Sequence, residues 1–396
     1  MRWASAVSDA PRLDLALAEV ASAVAAAMQD APVDLAVLFV SHHFAAVYEE
    51  AATRFGDLLP RGALLGCSAG GVIGGGHEIE HRPAIALSVA HLPDVRIVPF
   101  ALDAGSLPDP DAAPSAWHTA LGVPPEPRPD LVVLADPFSF PVESLLAGLD
   151  YAYPRSTKIG GLASGARQPG GNALYSRAGV RRSGAIGVAL SGDICIDTVV
   201  AQGCRPIGSP MQVTRCHSTI LHELDGRPAL EVLQALVNEL PEADRQLASQ
   251  ALFLGIVMDE LAAEHRAGDF LIRNLMGVDP TSGALGVGEH LRRGQTVQFH
   301  VRDARTSAED LETLLERFAA EPRSAAARGA LLFSCLGRGS FLYGKPDHDT
   351  DLFRAHLGDL PLGGFFCNGE IGPVAGTTHL HGYTSSFGLF RPARSS

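Results

Sequence analysis

The sequence of 396 residues predicts an α/β protein with two related half-domains. We expect each half-domain to contain a mixed or mostly antiparallel β-sheet with helices on its outer face, and the sheets to pack together centrally. The first observation is that strand-like and helix-like segments alternate from residue 34 and lead into a run of strands, as in mixed sheets. The second is that four apolar segments end in small residues, two in each half, at 64–71, 159–165, 331–339 and 365–372.

The first half begins with a helix, because Pro11 precedes apolar residues that recur on one helical face from Leu13 to Val24. An almost continuous apolar run at 34–40 predicts a buried strand. Residues 64–76 predict a strand that runs into a glycine-rich bend. Further helices are predicted at 44–55, near residue 117 and at 141–149. Further strands are predicted at 84–89, 95–100, 131–135, 158–165, 173–175, 185–190 and 194–201.

The second half opens where the character of the sequence changes, around residues 211–224. Helices are predicted at 228–240, 242–252, 306–318 and 349–357. Strands are predicted at 253–257, 270–279, 330–339, 365–372 and 385–390. The segments 284–287 and 295–301 predict a hairpin.

The composition argues against several classes of partner. The net charge of -13 disfavours nucleic acid and anionic membrane surfaces, since both need basic patches. The N-terminus lacks the apolar core of a secretory signal, and no apolar run reaches the ~18 residues of a membrane-spanning helix. The six cysteines include no C-x-x-C pair and are most simply reduced thiols. We therefore expect a cytoplasmic protein that binds neither nucleic acid nor membrane.

The stretch at residues 363–373 is the most informative for function. Asn368 and Glu370 lie between glycines and beside apolar residues, where a carboxylate costs free energy unless it is paired. Arg273 and Arg338 are candidate partners upstream. Because the arginine fork matches a carboxylate and a glutamate accepts from an ammonium, such a site suits a zwitterion. We expect either arginine to bind the carboxylate of a free amino acid, and Glu370 to bind its amine.

The predicted ligand site includes neighbouring residues from the other glycine-ended strands, where glycine lets backbone N–H groups approach a ligand. The complete set is Cys67, Ser68, Arg273, Asn274, Cys335, Arg338, Asn368, Gly369 and Glu370. We expect it where the strands of the two halves meet, since domain junctions commonly hold small-ligand pockets. The alternative is that Arg338 and Glu370 form a buried structural ion pair.

Several of these segments carry a family resemblance. Residues 65–71 and 159–161, and then 269–274, 333–339 and 368–373, resemble the FIST proteins (F-box and intracellular signal transduction). The resemblance implies an N-terminal domain at 1–218, a C-terminal domain at 219–396, and a sensory module that binds small ligands such as amino acids. Since no F-box, kinase or methyl-acceptor segment is evident, it implies a stand-alone bacterial sensor with a separate signalling protein as partner.

A hydrolase is one alternative function. Ser68 lies in a G-x-S-x-G sequence, and Ser68, Asp347 or Asp349, and His379 or His381 follow the order of an α/β-hydrolase triad. In an α/β-hydrolase the nucleophile lies on a sharp turn, the nucleophile elbow, that leads directly from a strand into a helix. Here three glycines follow at 74–76, and glycines are poor helix formers. A chance match is the simpler interpretation.

The sequence also leaves open a hydrolase with a cysteine nucleophile and a protein-interaction scaffold with an occluded pocket. Cys67, Cys335 and Cys367 each end a buried strand, where cysteine usually acts as a small hydrophobe. A reactive thiol needs an electropositive neighbour, and Arg338 near Cys335 is the best case. The histidine pairs lack metal-site spacing, and the glycine loops match neither the P-loop nor the dinucleotide fingerprint. We expect no catalytic residue, no metal and no cofactor.

Overall fold

A computed structural model describes residues 1–394 except residues 60, 110, 261–264, 266 and 267. The chain forms two compact units. The first contains residues 1–200, 311–380 and those from 384 onward, and the second contains residues 201–310 and 381–383. The predicted boundary after residue 218 separates two related halves of the sequence. It does not coincide with the boundaries of these compact units.

Within the first unit, one arrangement of elements occurs three times. Each module runs strand, helix, strand, helix, strand, continues into a two-stranded hairpin and ends in a further strand. The first module consists of β1 (Arg2–Ser8), α1 (Leu13–Met28), β2 (Leu35–Ser41), α2 (Tyr48–Leu58), β3 (Ala63–Ala69), β4 (Gly71–Gly74), β5 (His77–Glu80) and β6 (Ile85–His91).

The second module repeats this order. It consists of β7 (Val95–Leu102), α3 (Pro114–Leu121), β8 (Asp130–Ala135), α4 (Val142–Ala152), β9 (Lys158–Leu162), β10 (Leu174–Ser176), β11 (Gly179–Arg181) and β12 (Ala185–Gly192). The third module then begins with β13 (Cys195–Ala201).

The second unit interrupts the third module along the chain. It contains β14 (Cys204–His217), β15 (Ile220–Leu224), β16 (Arg227–Pro228), α5 (Ala229–Glu239), α6 (Glu242–Gln250), β17 (Leu252–Val257), β18 (Phe270–Asp279), β19 (Ala284–Val287) and β20 (Thr296–Arg302). The strands pair in the order β14-β20-β17-β18-β19-β15, and β15 pairs again with β14. Six strands thus close into a barrel, which removes their sheet edges.

The third module resumes after the barrel. Its remaining elements are α7 (Ala304–Ala319), β21 (Gly329–Cys335), α8 (Gly339–Tyr343), α9 (His348–Leu357), β22 (Leu362–Cys367), β23 (Glu370–Val374), β24 (Thr377–His381) and β25 (Ser385–Arg391). It differs from the other two modules by one additional short helix, α8, before α9.

Each module is built around one six-stranded sheet. The orders are β1-β6-β2-β3-β10-β11 in the first sheet, β7-β12-β8-β9-β23-β24 in the second and β13-β25-β21-β22-β4-β5 in the third. The two middle strands of each sheet are parallel, and the strands beside them are antiparallel. The three sheets are therefore equivalent in strand order and in the directions of their four inner strands.

The hairpin of each module belongs to the sheet of another module. The hairpin β4–β5 pairs with β22, β10–β11 pairs with β3, and β23–β24 pairs with β9. The exchange is cyclic and joins all three modules.

The second parallel strand of each sheet carries a glycine at the same position. These residues are Gly66, Gly160 and Gly364. A Cβ atom at any of them would overlap a carbonyl oxygen of the adjacent parallel strand, at Leu38, Val133 and Leu332 respectively. Close backbone approach therefore explains why the sequence repeats a strand that ends in glycine and other small residues.

The inner faces of the three sheets share one apolar core. The first sheet contributes Val37 and Phe39 to this core, the second contributes Val132 and Leu134, and the third contributes Phe333 and Phe365. The helices α1 and α2 cover the outer face of the first sheet, and α3 and α4 cover that of the second. The predicted fold class is confirmed: the protein is α/β, its sheets are mixed or mostly antiparallel, and helices lie outside centrally packed sheets.

Two local predictions are wrong. The glycine-rich bend at 70–76 is largely β4, because it pairs with β22, a strand from the far end of the chain. The segments at 284–287 and 295–301 do not form a hairpin: β19 pairs with β18 and β15, whereas β20 pairs with β14 and β17.

The helices in the described part of the chain fall short of the length and hydrophobicity that a bilayer-spanning helix needs.

Candidate functional site

The carboxyl ends of β3, β9 and β22 meet around Ser164. Its N–H donates to the carbonyl oxygen of Ser68 at 3.1 Å, and its hydroxyl donates to that of Phe366 at 2.5 Å. The N–H of Gly70 donates to the Ser164 hydroxyl oxygen at 2.8 Å. Carboxyl ends of parallel strands are where open α/β folds bind ligands. We call this place the strand-end cluster and define it as Ser68, Gly70, Ser164, Cys335, Cys367 and Asn368.

Most of the predicted site residues lie at or beside the strand-end cluster, in the first unit. The N–H of Asn368 donates to the Leu162 carbonyl at 3.1 Å, and the Gly369 carbonyl accepts from the Leu162 N–H at 2.8 Å. The side chain of Asn368 is exposed. Glu370 is fully buried and accepts the Thr384 N–H at 3.1 Å. The predicted meeting of glycine-ended strands is therefore observed within this unit.

Cys335 and Cys367 of this cluster each end a strand, and Cys67 lies two residues before the end of β3. Cys335 and Cys367 are register partners at the ends of the parallel strands β21 and β22. Cys67 and Cys367 are fully buried in the central core, whereas Cys335 is partly exposed. Burial raises the pKa of the Cys367 thiol well above its usual value, and Glu370, Cys67 and Cys335 raise it further. Cys335 is therefore the accessible member of the group.

Arg338 is fully buried and already holds a carboxylate. Its Nε and Nη2 atoms donate to the two oxygens of Asp349 at 2.9 and 3.2 Å. Asp349 also accepts from the Ser385 hydroxyl at 2.5 Å and lies 3.0 Å from Nδ1 of His348. Burial alone would raise the pKa of Asp349, but the Arg338 charge and these hydrogen bonds hold it well below its usual range. The ion pair of Arg338 thus forms with Asp349, where sequence reasoning had considered Glu370.

Arg273 and Asn274 lie in the second unit, on β18. Arg273 forms an ion pair with Glu289 at 2.9 Å. The side-chain oxygen of Asn274 accepts a hydrogen bond from the Tyr383 hydroxyl. Both residues therefore contact other parts of the barrel unit.

Ser68 is not placed as a nucleophile. It is fully buried in β3, where its hydroxyl oxygen accepts the Ala173 N–H at 3.1 Å and lies 3.3 Å from Oδ1 of Asn172. Asn172 in turn donates to Asp136 at 3.0 Å. After β3 the chain enters the strand β4, so the G-x-S-x-G sequence lacks the strand-to-helix turn of an elbow. These contacts indicate a structural role for Ser68.

A separate cavity of about 240 Å³ lies between β1, the β4–β5 turn, α9 and the segment that follows α9. Its apolar lining includes Trp3, Ala4, Ala27, Phe353, Leu360, Pro361 and Leu362, and its polar lining includes Ser5, Thr350, Arg354 and Asp359. Arg354 and Asp359 are exposed, so opposite charges lie at the mouth of the cavity. Sequence reasoning missed this site, because β1 was not recognised as a strand.

Trp3 contributes a large apolar side chain to the cavity lining. The side chain is 5% exposed and stacks on Phe390 with ring centroids 4.5 Å apart. Among the described residues, the indole N–H has no hydrogen-bond acceptor.

Helix α9 connects this cavity with the Arg338 ion pair. Asp349 binds Arg338, and the next residue, Thr350, lines the cavity together with Phe353. The Thr350 N–H donates to Oε1 of the buried Glu78 at 2.8 Å. Burial, followed by the negative charge of Asp349, raises the pKa of Glu78 to about 8. Burial therefore favours the neutral form of the carboxyl group that lies beneath the start of α9.

Within the described residues, no group of three or more His, Cys, Asp or Glu side chains could hold a metal ion.

Comparison with known proteins gives chain-long matches. A FIST N domain model matches residues 34–227, and a FIST C domain model matches residues 229–373. An uncharacterized protein of Mycobacterium tuberculosis strain H37Rv is 41% identical over 98% of this chain and 100% of its own length. One of Mycobacterium bovis is 40% identical over 83% of each chain.

Two further likenesses are weaker. An F-box/LRR-repeat protein of Arabidopsis thaliana is 30% identical over 22% of this chain and 17% of its own. Among solved structures, a cyanuric acid hydrolase from A. caulinodans has a TM-score of 0.34 and 9% identity over 99% of this chain and 100% of its own. A TM-score at that level supports no inference.

Proposed function

Because the chain belongs to the FIST family, with both domain models matched, we propose that it is a sensory protein that binds a small amino-acid-like ligand. FIST domains are associated with signal transduction. The protein then binds its ligand without chemical turnover, and a signalling protein recognises the ligand-bound form.

The observation that carries the proposal is the cavity beside α9, which is apolar inside and has opposite charges at its mouth. The side chain of an apolar amino acid suits the wall formed by Phe353 and Leu362. Its carboxylate would compete with Asp351 for the exposed Arg354, which holds Asp351 at 2.6 Å, and its ammonium would pair with Asp359, as charge-assisted hydrogen bonds favour. Small-ligand sites commonly combine an apolar lining with a few polar groups that fix orientation.

Helix α9 supplies a route for the signal. A ligand that contacts Thr350, Phe353 and Arg354 acts on the helix that also carries Asp349. Any movement of α9 changes the buried pair between Asp349 and Arg338. Because Arg338 follows β21, such a change reaches the strand-end cluster.

The strand-end cluster is the second location for the ligand, favoured by the convergence of parallel strand ends. Here the exposed amide of Asn368 is available, whereas a ligand carboxylate would have to displace Asp349 from Arg338. The ligand roles of the other predicted residues, Cys67, Ser68, Arg273, Asn274, Cys335, Gly369 and Glu370, stay predictions.

The test is a thermal-shift screen of the full chain against the free amino acids and related carboxylates, followed by calorimetric titration of each compound that raises the melting temperature. A ligand at about 100 times its Kd stabilises the folded state by about 2.7 kcal/mol, which raises the melting temperature by a few degrees. Arg354→Gln should weaken binding about tenfold or more. The matched control is Arg305→Gln, since both arginines are exposed on helices and pair with an acid one turn away.

The outcomes separate the two locations. Binding that is lost in Arg354→Gln and kept in Arg305→Gln supports the cavity. Binding that is kept in both but lost in Asn368→Ala moves the ligand to the strand-end cluster. If no amino acid or related carboxylate binds, the small-ligand proposal fails and a protein-interaction scaffold becomes the better explanation.

A further inference from the structure

We propose that Cys335 and Cys367 are a peroxide-oxidisable pair that closes to a disulfide between the ends of β21 and β22. The inference is independent of the ligand proposed above, because it rests on the arrangement of the two thiols. It assigns a modification site to the strand-end cluster.

The register of the parallel strands brings the two residues together. Cys335 pairs with Cys367 in the same ladder in which Phe333 pairs with Phe365. Phe333, Phe365 and Cys367 all belong to the central core, so the alternation of side chains along β21 places Cys335 on the same face. Adjacent strands lie about 4.8 Å apart, which is within the Cα separation that disulfides span.

The two thiols differ in access. Cys335 is partly exposed at the end of its strand, whereas Cys367 is fully buried. The N–H of Gly337 donates to the Cys335 sulfur at 3.4 Å, so this thiol already takes part in a polar contact at the strand end. Cys335 is therefore the thiol that meets an oxidant first, and Cys367 is the thiol that resolves the product.

The chemistry balances with hydrogen peroxide as the oxidant. The sulfur of Cys335 attacks one peroxide oxygen, an S–O bond forms and the O–O bond breaks, and the departing hydroxide takes up the thiol proton as water. Cys335 is then a sulfenic acid. The sulfur of Cys367 attacks it, the S–S bond forms and the S–O bond breaks, and the second hydroxide leaves as water with the Cys367 proton. Two thiols are oxidised, and one peroxide is reduced to two waters.

The bond would act on the segments that follow it. The N–H of Leu336 donates to the Cys367 carbonyl at 3.0 Å, so the two strand ends already hold each other through the backbone. A disulfide between Cys335 and Cys367 would fix the position of the loop that leads to Arg338 relative to the segment at Asn368.

The test uses the reduced full chain, freed of reductant and treated with hydrogen peroxide. Intact-mass measurement should show the loss of two hydrogen atoms, and peptide mapping without reduction should join the peptides that contain Cys335 and Cys367. Cys335→Ser should abolish both signals. Cys367→Ala should leave a sulfenic acid at Cys335 that dimedone traps. Cys195→Ser is the matched control, because Cys195 is also partly exposed, and it should behave as the wild type.

The wild-type peptide map decides the matter even if a core variant fails to fold. A linkage between Cys335 and Cys367 that dithiothreitol reverses supports the proposal. A linkage between Cys67 and Cys367, one through Cys195 or Cys216, or no mass loss under conditions that oxidise a free thiol peptide would overturn it.

Discussion

Replacing Glu78 with glutamine should stabilise the protein at alkaline pH and change it little in acid. Glu78 is 5% exposed, and one of its oxygens accepts the Thr350 N–H. Burial is the main reason that its pKa rises to about 8, and the charges of Asp349, Asp347 and Glu80 add to the rise. Glutamine keeps the acceptor for Thr350 and removes the ionisation.

The direction in which stability changes with pH follows from where the folded and unfolded chains bind the Glu78 proton. The unfolded chain releases the Glu78 proton above pH 4.5, whereas the folded protein keeps it up to about pH 8. The stability that this group contributes is therefore present below pH 4.5, is lost as pH rises towards 8 and stays lost above it. At 1.36 kcal/mol for each pKa unit, the total is about 5 kcal/mol. Glu78→Gln should recover several kcal/mol of this at about pH 9 and less than about 1 kcal/mol at about pH 5.

The assay is urea unfolding of wild type and variant across this pH range, followed by circular dichroism. Glu143→Gln is the control, because Glu143 is exposed on α4 and the substitution is chemically identical. The reasoning is refuted if Glu78→Gln changes the free energy of unfolding equally at both pH values, or if the control shows the same pH-dependent gain.

Three further outcomes follow from the described contacts. Asp349→Asn should destabilise the protein by about 3–5 kcal/mol in urea unfolding, because the buried charge of Arg338 loses its carboxylate, and a loss below about 1 kcal/mol would contradict this. Gly160→Ala should cost at least about 3 kcal/mol, because its Cβ overlaps a carbonyl oxygen, whereas Gly56→Ala, in open space on α2, should stabilise by about 0.5–1 kcal/mol. Burial lowers the pKa of His300 to about 4, so its ring should stay neutral at about pH 5.5 by NMR, and this contribution to stability should be lost as pH falls from 6.5 towards 4. A ring titrating near pH 6.5 would show that the site is wet.

The sequence was sufficient for the elements whose signals are local. The strand at residues 34–40 and the helix at 306–318 follow from apolar periodicity, and β2 and α7 occupy these places. The repeated glycine-ended strands also predicted a meeting point, which the contacts of Ser164 show. The glycine pattern was informative because it reflects close backbone approach, a constraint that acts at a single residue.

The features that the sequence did not predict share one physical cause, which is pairing between distant segments. Glu78 lies on β5, a strand that exists because the hairpin it belongs to pairs with β22. Nothing near Glu78 in the sequence indicates that pairing, so neither its burial nor its pKa was predictable. Arg338 was recognised as a buried cation, but its partner depends on where the chain turns before α9, and Asp349 supplied the carboxylate.

The cyclic exchange of hairpins has a consequence for how the chain is made. During translation, β4 leaves the ribosome long before β22, with which it pairs at Val72 and Phe365. The second sheet likewise waits for β23, which is synthesised near the end of the chain. Pairing over such separations slows folding and leaves apolar strand edges unpaired in the meantime. Nascent or truncated chains should therefore depend on chaperones, and a premature stop anywhere before β24 should yield an aggregating fragment rather than a smaller folded protein.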